Sequence, residues 1–83
     1  MQFFTYILFS KKLQRYYVGH TKDMANRLRE HNAGETRSTR QGIPWRIIHT
    51  ETFSSRSEAM FRELQIKKRG IRRYLADDMH HPG

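Results

Sequence analysis

Two hydrophobic spacings alternate along this chain. The runs Phe3-Phe4-Thr5-Tyr6-Ile7-Leu8-Phe9 and Tyr16-Tyr17-Val18-Gly19 are short, aromatic and β-branched, which is the composition of strands. The polar link between them, Ser10-Lys11-Lys12-Leu13-Gln14-Arg15, has the length of a hairpin loop and not of a parallel crossover. Over residues 21–32 the spacing becomes helical, with Thr21 read as the N-cap, Asp23 in the first turn and Asn32-Ala33-Gly34 as the stop. Residues 34–44 are polar, bracketed by glycines and without hydrophobic period, a length of loop that is often functional in a small domain. Trp45-Arg46-Ile47-Ile48-His49-Thr50-Glu51-Thr52-Phe53 reads as a third strand. Ser55-Arg56-Ser57-Glu58 then matches a capping box, opening a helix that runs to about Arg69, before Gly70. Residues 71–75 add a short helical turn packed by Ile71 and Leu75. The pattern predicts an α+β fold: a small three-stranded sheet flanked by helices, in the order β-β-α-β-α with a short C-terminal helical turn. Residues 1–76 form a single domain, and 77–83, with His80 and His81, a flexible tail.

Turning each helix by about 100° per residue shows which side it buries. In the first, Met24, Ala25 and Leu28 form the apolar arc, with Arg27 and His31 inside or beside it. In the second, the arc is Ala59, Met60, Phe61, Leu64 and Ile66, with Glu63 and Lys67 inside it and Glu58, Arg62, Gln65 and Arg69 opposite. Each helix therefore turns two ionisable residues inward, one turn apart. Buried charge is costly unless it is paired, hydrogen-bonded or set at an open cleft. One account is structural: an internal Arg27–Glu63 ion pair, His31 satisfied by a backbone group and Lys67 reaching out to water. The other is a site, because Tyr6 and Tyr17 stand on neighbouring strands of one hairpin, where their hydroxyls can share a face.

Composition sharpens the choice. Eighty-three residues hold one small core, and the absence of cysteine removes disulfides and thiolate metal sites, which fits a cytoplasmic setting. The apolar opening stretch lacks a positive start and a small-residue cleavage site and is too short to span a bilayer, so a core strand is expected and no membrane partner. Sixteen Lys and Arg against eight Asp and Glu give a formal charge of +8, which favours a polyanion, nucleic acid first among them. Lys11, Lys12, Arg37 and Arg40 are candidate phosphate contacts, with a merely solvated basic surface as the alternative. His20, His49, His80 and His81 show no metal-ligand spacing shared with carboxylates.

These residues resemble the GIY-YIG nuclease family, in particular its small single-domain branch. Phe4-Thr5-Tyr6 stands in place of the first motif and Tyr17-Val18-Gly19 in place of the second. Residues 17–32 are similar to the family's strand-to-helix segment, including its Arg and His, and residues 57–68 to the helix that carries its metal-binding Glu. The likeness spans roughly residues 3 to 75. There are departures: Phe4 and Thr5 replace the first two residues of the first motif, and His20 stands where some relatives carry lysine. A downstream Asn of some members has no equivalent near Asp77 and Asp78.

The resemblance implies hydrolysis of a phosphodiester with one divalent ion, Mg²⁺ or Mn²⁺, held by Glu63. It also implies Arg27 as a phosphate clamp, Tyr6 and Tyr17 orienting the attacking water or the phosphate, and His31 as an assistant to a tyrosine. Lys67 is either a phosphate contact or a structural pair for Glu63. The implied role is DNA endonuclease-like, in repair or recombination, with DNA ahead of RNA and a protein partner or homodimer left open. The alternative is a nucleic-acid-binding module that keeps the fold and cuts nothing.

Overall fold

A computed structural model describes residues 1–79. Its first two strands, β1 (Phe3–Ser10) and β2 (Arg15–Thr21), form the expected hairpin, and β3 (Trp45–Phe53) pairs antiparallel on the other side of β1. The sheet order is thus β2-β1-β3, with the most apolar strand in the middle. Helix α1 (Met24–Asn32) follows the hairpin, a 3₁₀ turn (Arg37–Gly42) leads to β3, and helices α2 (Arg56–Arg69) and α3 (Ile71–Met79) close the described chain. This is the α+β order read from the sequence. None of these helices is long and apolar enough to cross a membrane.

Because β1 is central, both of its faces are covered. Tyr6 and Leu8 point to one side and join Trp45, Tyr17, Met24, Leu28 and Ile43. Ile7 points to the other and joins Val18 and Ile66, with Tyr16, Ile71, Tyr74 and Leu75 packed around them. A register shift against β3, where Ile7 faces His49 and Leu8 faces Ile47, leaves Ile48 as the extra residue of a bulge.

Several local expectations need correction. The N-cap of α1 is Asp23, whose side chain accepts from the Asn26 N–H; Thr21 supports it from outside through its hydroxyl. Helix α3 runs to Met79, well past the expected turn at 71–75, so residues 77–79 of the expected tail are helical. The remainder of that tail, 80–83 with its two histidines, lies outside the described residues.

The buried face of α2 is also not the one its apolarity suggested. Ala59 and Ile66 are fully buried, whereas Met60, Phe61 and Leu64 stay 45, 62 and 57% exposed. The reason is the close approach of the helix to β1, where Thr5 Oγ1 donates to the Ala59 carbonyl at 2.7 Å. Only a small residue fits at that contact, and centring Ala59 turns Arg62 and Glu63 inward with it. Arg62, expected in solvent, instead lies over the Phe53 ring at 5.9 Å and pairs with Glu51 at 3.3 Å. Ser55 caps the helix as expected, accepting from the Glu58 N–H, while the Glu58 carboxylate closes on the hydroxyls of Ser54 and Ser55.

The segment 34–44 is tied down at several points. Asn32 grips the Trp45 backbone twice, its Oδ1 accepting from the N–H at 2.6 Å and its Nδ2 donating to the carbonyl at 3.0 Å. The Trp45 indole N–H donates to the Thr39 carbonyl at 2.6 Å. Replacing Asn32 by Ala strands two partly buried backbone groups, so Asn32→Ala is expected to cost about 1–3 kcal/mol. Thermal denaturation reads this as a fall in Tm of roughly 4–8 °C per kcal/mol for a domain of this size.

Candidate active site

The site is built across the open edge of β2. Pairing of Tyr6 with Gly19 and of Leu8 with Tyr17 puts both tyrosines on the α1 face of the sheet. Pairing of Thr5 with His20 puts His20 on the opposite face, towards α2 and Glu63. The two faces communicate at Gly19. A Cβ there would lie 2.5 Å from the Tyr6 hydroxyl oxygen and 2.7 Å from its Cζ, so only glycine lets the phenol reach across to the edge. Tyr6, Tyr17, Gly19, His20, Arg27 and Glu63 together line a cleft of about 160 Å³.

Behind that cleft a buried chain of hydrogen bonds holds the Tyr6 ring. Arg27 Nε donates to the Tyr6 hydroxyl at 3.3 Å, which meets His31 Nε2 at 3.0 Å. His31 Nδ1 meets the Thr39 hydroxyl at 2.7 Å, and that hydroxyl donates to the Thr36 carbonyl at 3.3 Å. One direction satisfies every member: the carbonyl can only accept, so Thr39 receives from a protonated Nδ1, and Nε2 is left to accept the Tyr6 proton. His31 is therefore neutral, with its proton on Nδ1. Burial lowers its pKa from the usual 6.5, the Arg27 charge lowers it further, and Glu30 offsets part of this.

The same environment fixes the phenol and the guanidinium. Burial pushes the Tyr6 hydroxyl up to about 12, against a partial lowering by Arg27. Arg27 is held still more firmly protonated, first by its bond to Tyr6 and then by Glu30, which accepts from Nη1 at 3.0 Å. Its Nη2 makes no hydrogen bond among the described residues, nor does the hydroxyl of Tyr17, whose ring stands edge-on to His31 at 5.1 Å.

On the α2 side, Glu63 accepts from His20 Nδ1 on Oε1 and from Lys67 Nζ on Oε2, each at 2.6 Å. Burial raises the pKa of this half-buried carboxyl, but Lys67 and then His20 outweigh it, and the net shift is downward. Lys67 is raised in turn, chiefly by the Glu63 contact. The structural pairing of Lys67 with Glu63 is thus formed, and the alternative Arg27–Glu63 pair is replaced by separate partners. Among the described residues no group of three or more His, Cys, Asp or Glu could hold a metal ion, and Glu63 is the carboxylate that lines the cleft.

Of the residues singled out in the sequence, Tyr6, Tyr17, Arg27 and Glu63 meet in the cleft, His31 stands behind Tyr6, and Lys67 flanks Glu63. Lys11 and Lys12 sit in the hairpin turn, Arg37 opens the 3₁₀ turn, and Arg40 donates to the Gly34 carbonyl; all four are exposed and outside the cleft. His20, which shows no metal-ligand spacing in the sequence, also lines the cleft. Strand alternation could have found it, since it follows Gly19 on the Val18 face, the face against which α2 packs. Thr39, which orients His31, carries no local signal in its polar surroundings.

The cleft thus gathers two hydroxyls, a guanidinium and a carboxylate, and the chain that builds it belongs to the GIY-YIG family: the model of the GIY-YIG catalytic domain matches residues 2–74. Membership supports nuclease-like chemistry in general, and nucleases of this family generally use divalent metal ions. More particularly, the chain is similar to small UPF0213 proteins. It is 50% identical over 54 residues to one from Halobacterium salinarum, covering 64% of this chain and 70% of that protein. It is 48% identical over 52 residues to one from Haloquadratum walsbyi, covering 61% and 58%. The match to several such relatives spans less than two thirds of their length, as with 56% of one from Streptococcus pneumoniae. The solution structure of the UPF0213 protein BH0048 from Bacillus halodurans superposes with a TM-score of 0.58 at 31% identity, covering 100% of this chain and 88% of that one.

Two outcomes follow from this geometry. In Gly19→Ala the methyl group collides with the Tyr6 phenol, so a lower Tm and loss of the Arg27–Tyr6–His31 alignment are expected, read by calorimetry and His31 imidazole NMR. For pH, the unfolded chain takes up a proton at His31 near 6.5 while the folded chain, with its lowered pKa, does not. Stability from this group is complete above that value and drains away as pH falls towards the folded pKa. His31→Gln is expected to flatten the Tm–pH slope just below 6.5 and to leave unchanged the loss below 4.5, where the unfolded chain takes up protons at Glu51 and Glu63 before the folded chain, with its lowered values, does.

Proposed function

We propose that this chain is a metal-dependent phosphodiester hydrolase that cuts nucleic acid internally, DNA ahead of RNA, as a DNA-processing endonuclease in repair or recombination. The observation that carries this reading is the convergence of Tyr6, Tyr17, Arg27 and Glu63 on one open cleft. A lone, ionised, half-buried carboxylate suits a hard cation that draws most of its ligands from water and phosphate, such as Mg²⁺ or Mn²⁺. When bound at Glu63, such an ion neutralises phosphate charge and acidifies water.

The chain's own groups divide the remaining work. Arg27, fixed through Nε and Nη1, has Nη2 left for a phosphate oxygen, where it offsets charge developing in the transition state. Tyr6 keeps its proton at neutral pH, because burial raises it to about 12, and so acts as a rigid hydroxyl that aims Arg27. Tyr17, whose hydroxyl is not engaged among the described residues, orients the attacking water through that hydroxyl. His31 holds Tyr6 in register. Lys67 covers the Glu63 charge in the free protein and moves to the phosphate when substrate arrives. Lys11, Lys12, Arg37 and Arg40 hold flanking phosphates without reading sequence.

One observation favours a second reading. Both Glu63 oxygens are already taken by His20 and Lys67, which suits a nucleic-acid-binding module that holds no ion and cuts nothing. Incubating the protein with labelled single-stranded, duplex, flap and branched DNA, with Mn²⁺ or Mg²⁺ and with chelator, separates the two. Hydrolysis predicts metal-dependent products that vanish in Glu63→Ala and fall about 10²–10³-fold in Arg27→Ala. Binding by both parent and Glu63→Ala, with no product in any metal, rejects hydrolysis and leaves the binding module.

A further inference from the structure

Beyond the cleft, on the α2 and α3 face of the sheet, two adjoining aromatic rings stand in a row between two guanidinium groups. Arg46 lies over the Phe9 ring at 5.6 Å, Phe9 meets Tyr16 at 5.0 Å between centroids, and Arg72 lies over the Tyr16 ring at 5.6 Å. Strand register sets the order, because Phe9 pairs with Arg46 in β3 and with Tyr16 in β2. The rings are half-buried and the guanidinium-bearing residues exposed. At the β2 end the row opens into a hollow of about 390 Å³ lined by Gln14, Arg15, Tyr16, Lys67, Ile71 and Arg72.

Three features of this surface bear on its occupant. No carboxylate lines the hollow, and Arg15, Arg46 and Arg72 form no ion pair among the described residues, so their charge is left uncompensated. The guanidinium groups set over these rings belong to exposed residues, and bases stack on both aromatic and guanidinium planes. Finally, the hollow adjoins the cleft. Lys67 lines the first and pairs with Glu63 in the second, and Tyr16 and Gly19 stand three residues, about 10 Å, apart along the same open edge. A duplex presents phosphates but hides its base faces, so the rings would have nothing to stack on; a single strand presents both.

We propose that the Arg46–Phe9–Tyr16–Arg72 row, with Arg15 and Lys67, binds a single-stranded segment of nucleic acid that runs along the edge of β2 to the Glu63 cleft. This deepens the nuclease reading, on which the destination of the strand rests, and names the substrate as nucleic acid with an unpaired stretch beside the cut.

Binding can be measured apart from cutting, by fluorescence anisotropy in chelator with a labelled oligonucleotide of about 16 nucleotides and its matching duplex. The expected result is tighter binding of the single strand. The double variant Arg15→Ala/Arg72→Ala is expected to bind it about tenfold more weakly and to flatten the log K against log salt slope by about 1.4, two contacts at about 0.7 each. Tyr16→Leu, which keeps the apolar packing against Val18, is expected to lose about tenfold with the salt slope unchanged. Circular dichroism melts confirm that each variant folds. Parent-like binding by both folded variants overturns the proposal, as does preference for the duplex. If these variants bind and cut like the parent while Glu63→Ala fails to cut, the surface is wrong and the nuclease reading stands. If they lose binding but the parent yields no product in any metal, the surface stands and the nuclease reading falls.

Discussion

A phenol hydroxyl buried in a core of 83 residues must be fully hydrogen-bonded or it costs the fold a large share of its stability. The Tyr6 hydroxyl meets that demand through Arg27 on one side and His31 on the other, and both residues lie on α1. The requirement then propagates. His31 needs an acceptor for its second nitrogen and finds the Thr39 hydroxyl, which fixes the 3₁₀ turn, and Thr39 in turn accepts the Trp45 indole through its carbonyl. One buried oxygen thus sets the position of α1, the shape of the 34–44 segment and the entry to β3. It also sets the protonation pattern of the site, because the direction of the chain leaves no freedom in the His31 tautomer.

Helix α2 and the sheet hold two half-buried carboxylates with pKa values shifted the same way, and their surroundings give them different parts. Glu51 takes Tyr74 from α3, His49 from its own strand and Arg62 from α2, so it ties three elements together on the closed side of the molecule. Glu63 takes His20 and Lys67, and Lys67 is 54% exposed on its side chain. A lysine ammonium is a mobile point charge that can leave for water or for a phosphate at little cost, whereas the ties to Glu51 cannot be broken without undocking α3. Depressed pKa alone would rank the two carboxylates together. The openness of the cleft and the mobility of the partner separate them.

How much of this could be read from the chain follows the range of each signal. Strand alternation around Tyr6 and Tyr17, the Ser55 cap and the inward Arg27 and His31 depend on neighbours within a turn or a hairpin, and they were legible. The face of α2 was not, because Phe61 and Leu64 outweigh Ala59 in any count of apolarity, while the deciding factor is how closely Ala59 lets the helix approach Thr5. The His20–Glu63 contact bridges 43 residues, and no local pattern carries a contact of that span. Asp23 caps the helix by accepting from the Asn26 N–H while Thr21 accepts from the Asp23 N–H, so two nearby cap-forming residues both fit the local pattern and only the helix start tells them apart.

A site whose parts lie on both faces of a sheet must meet somewhere that the sheet does not separate them. An interior strand forbids this, since its neighbours' backbones fill the gap on either side. Strand β2 is an edge, and the bare Gly19 leaves room for the Tyr6 phenol to reach the cleft that Glu63 also lines. The same edge position leaves the site open along its length, so a polymer can lie across it without threading into a pocket. On the proposed reading the sheet edge would serve as the rail for a substrate strand, with groups from two helices turned towards it, and the glycine would be the point where the two faces act together.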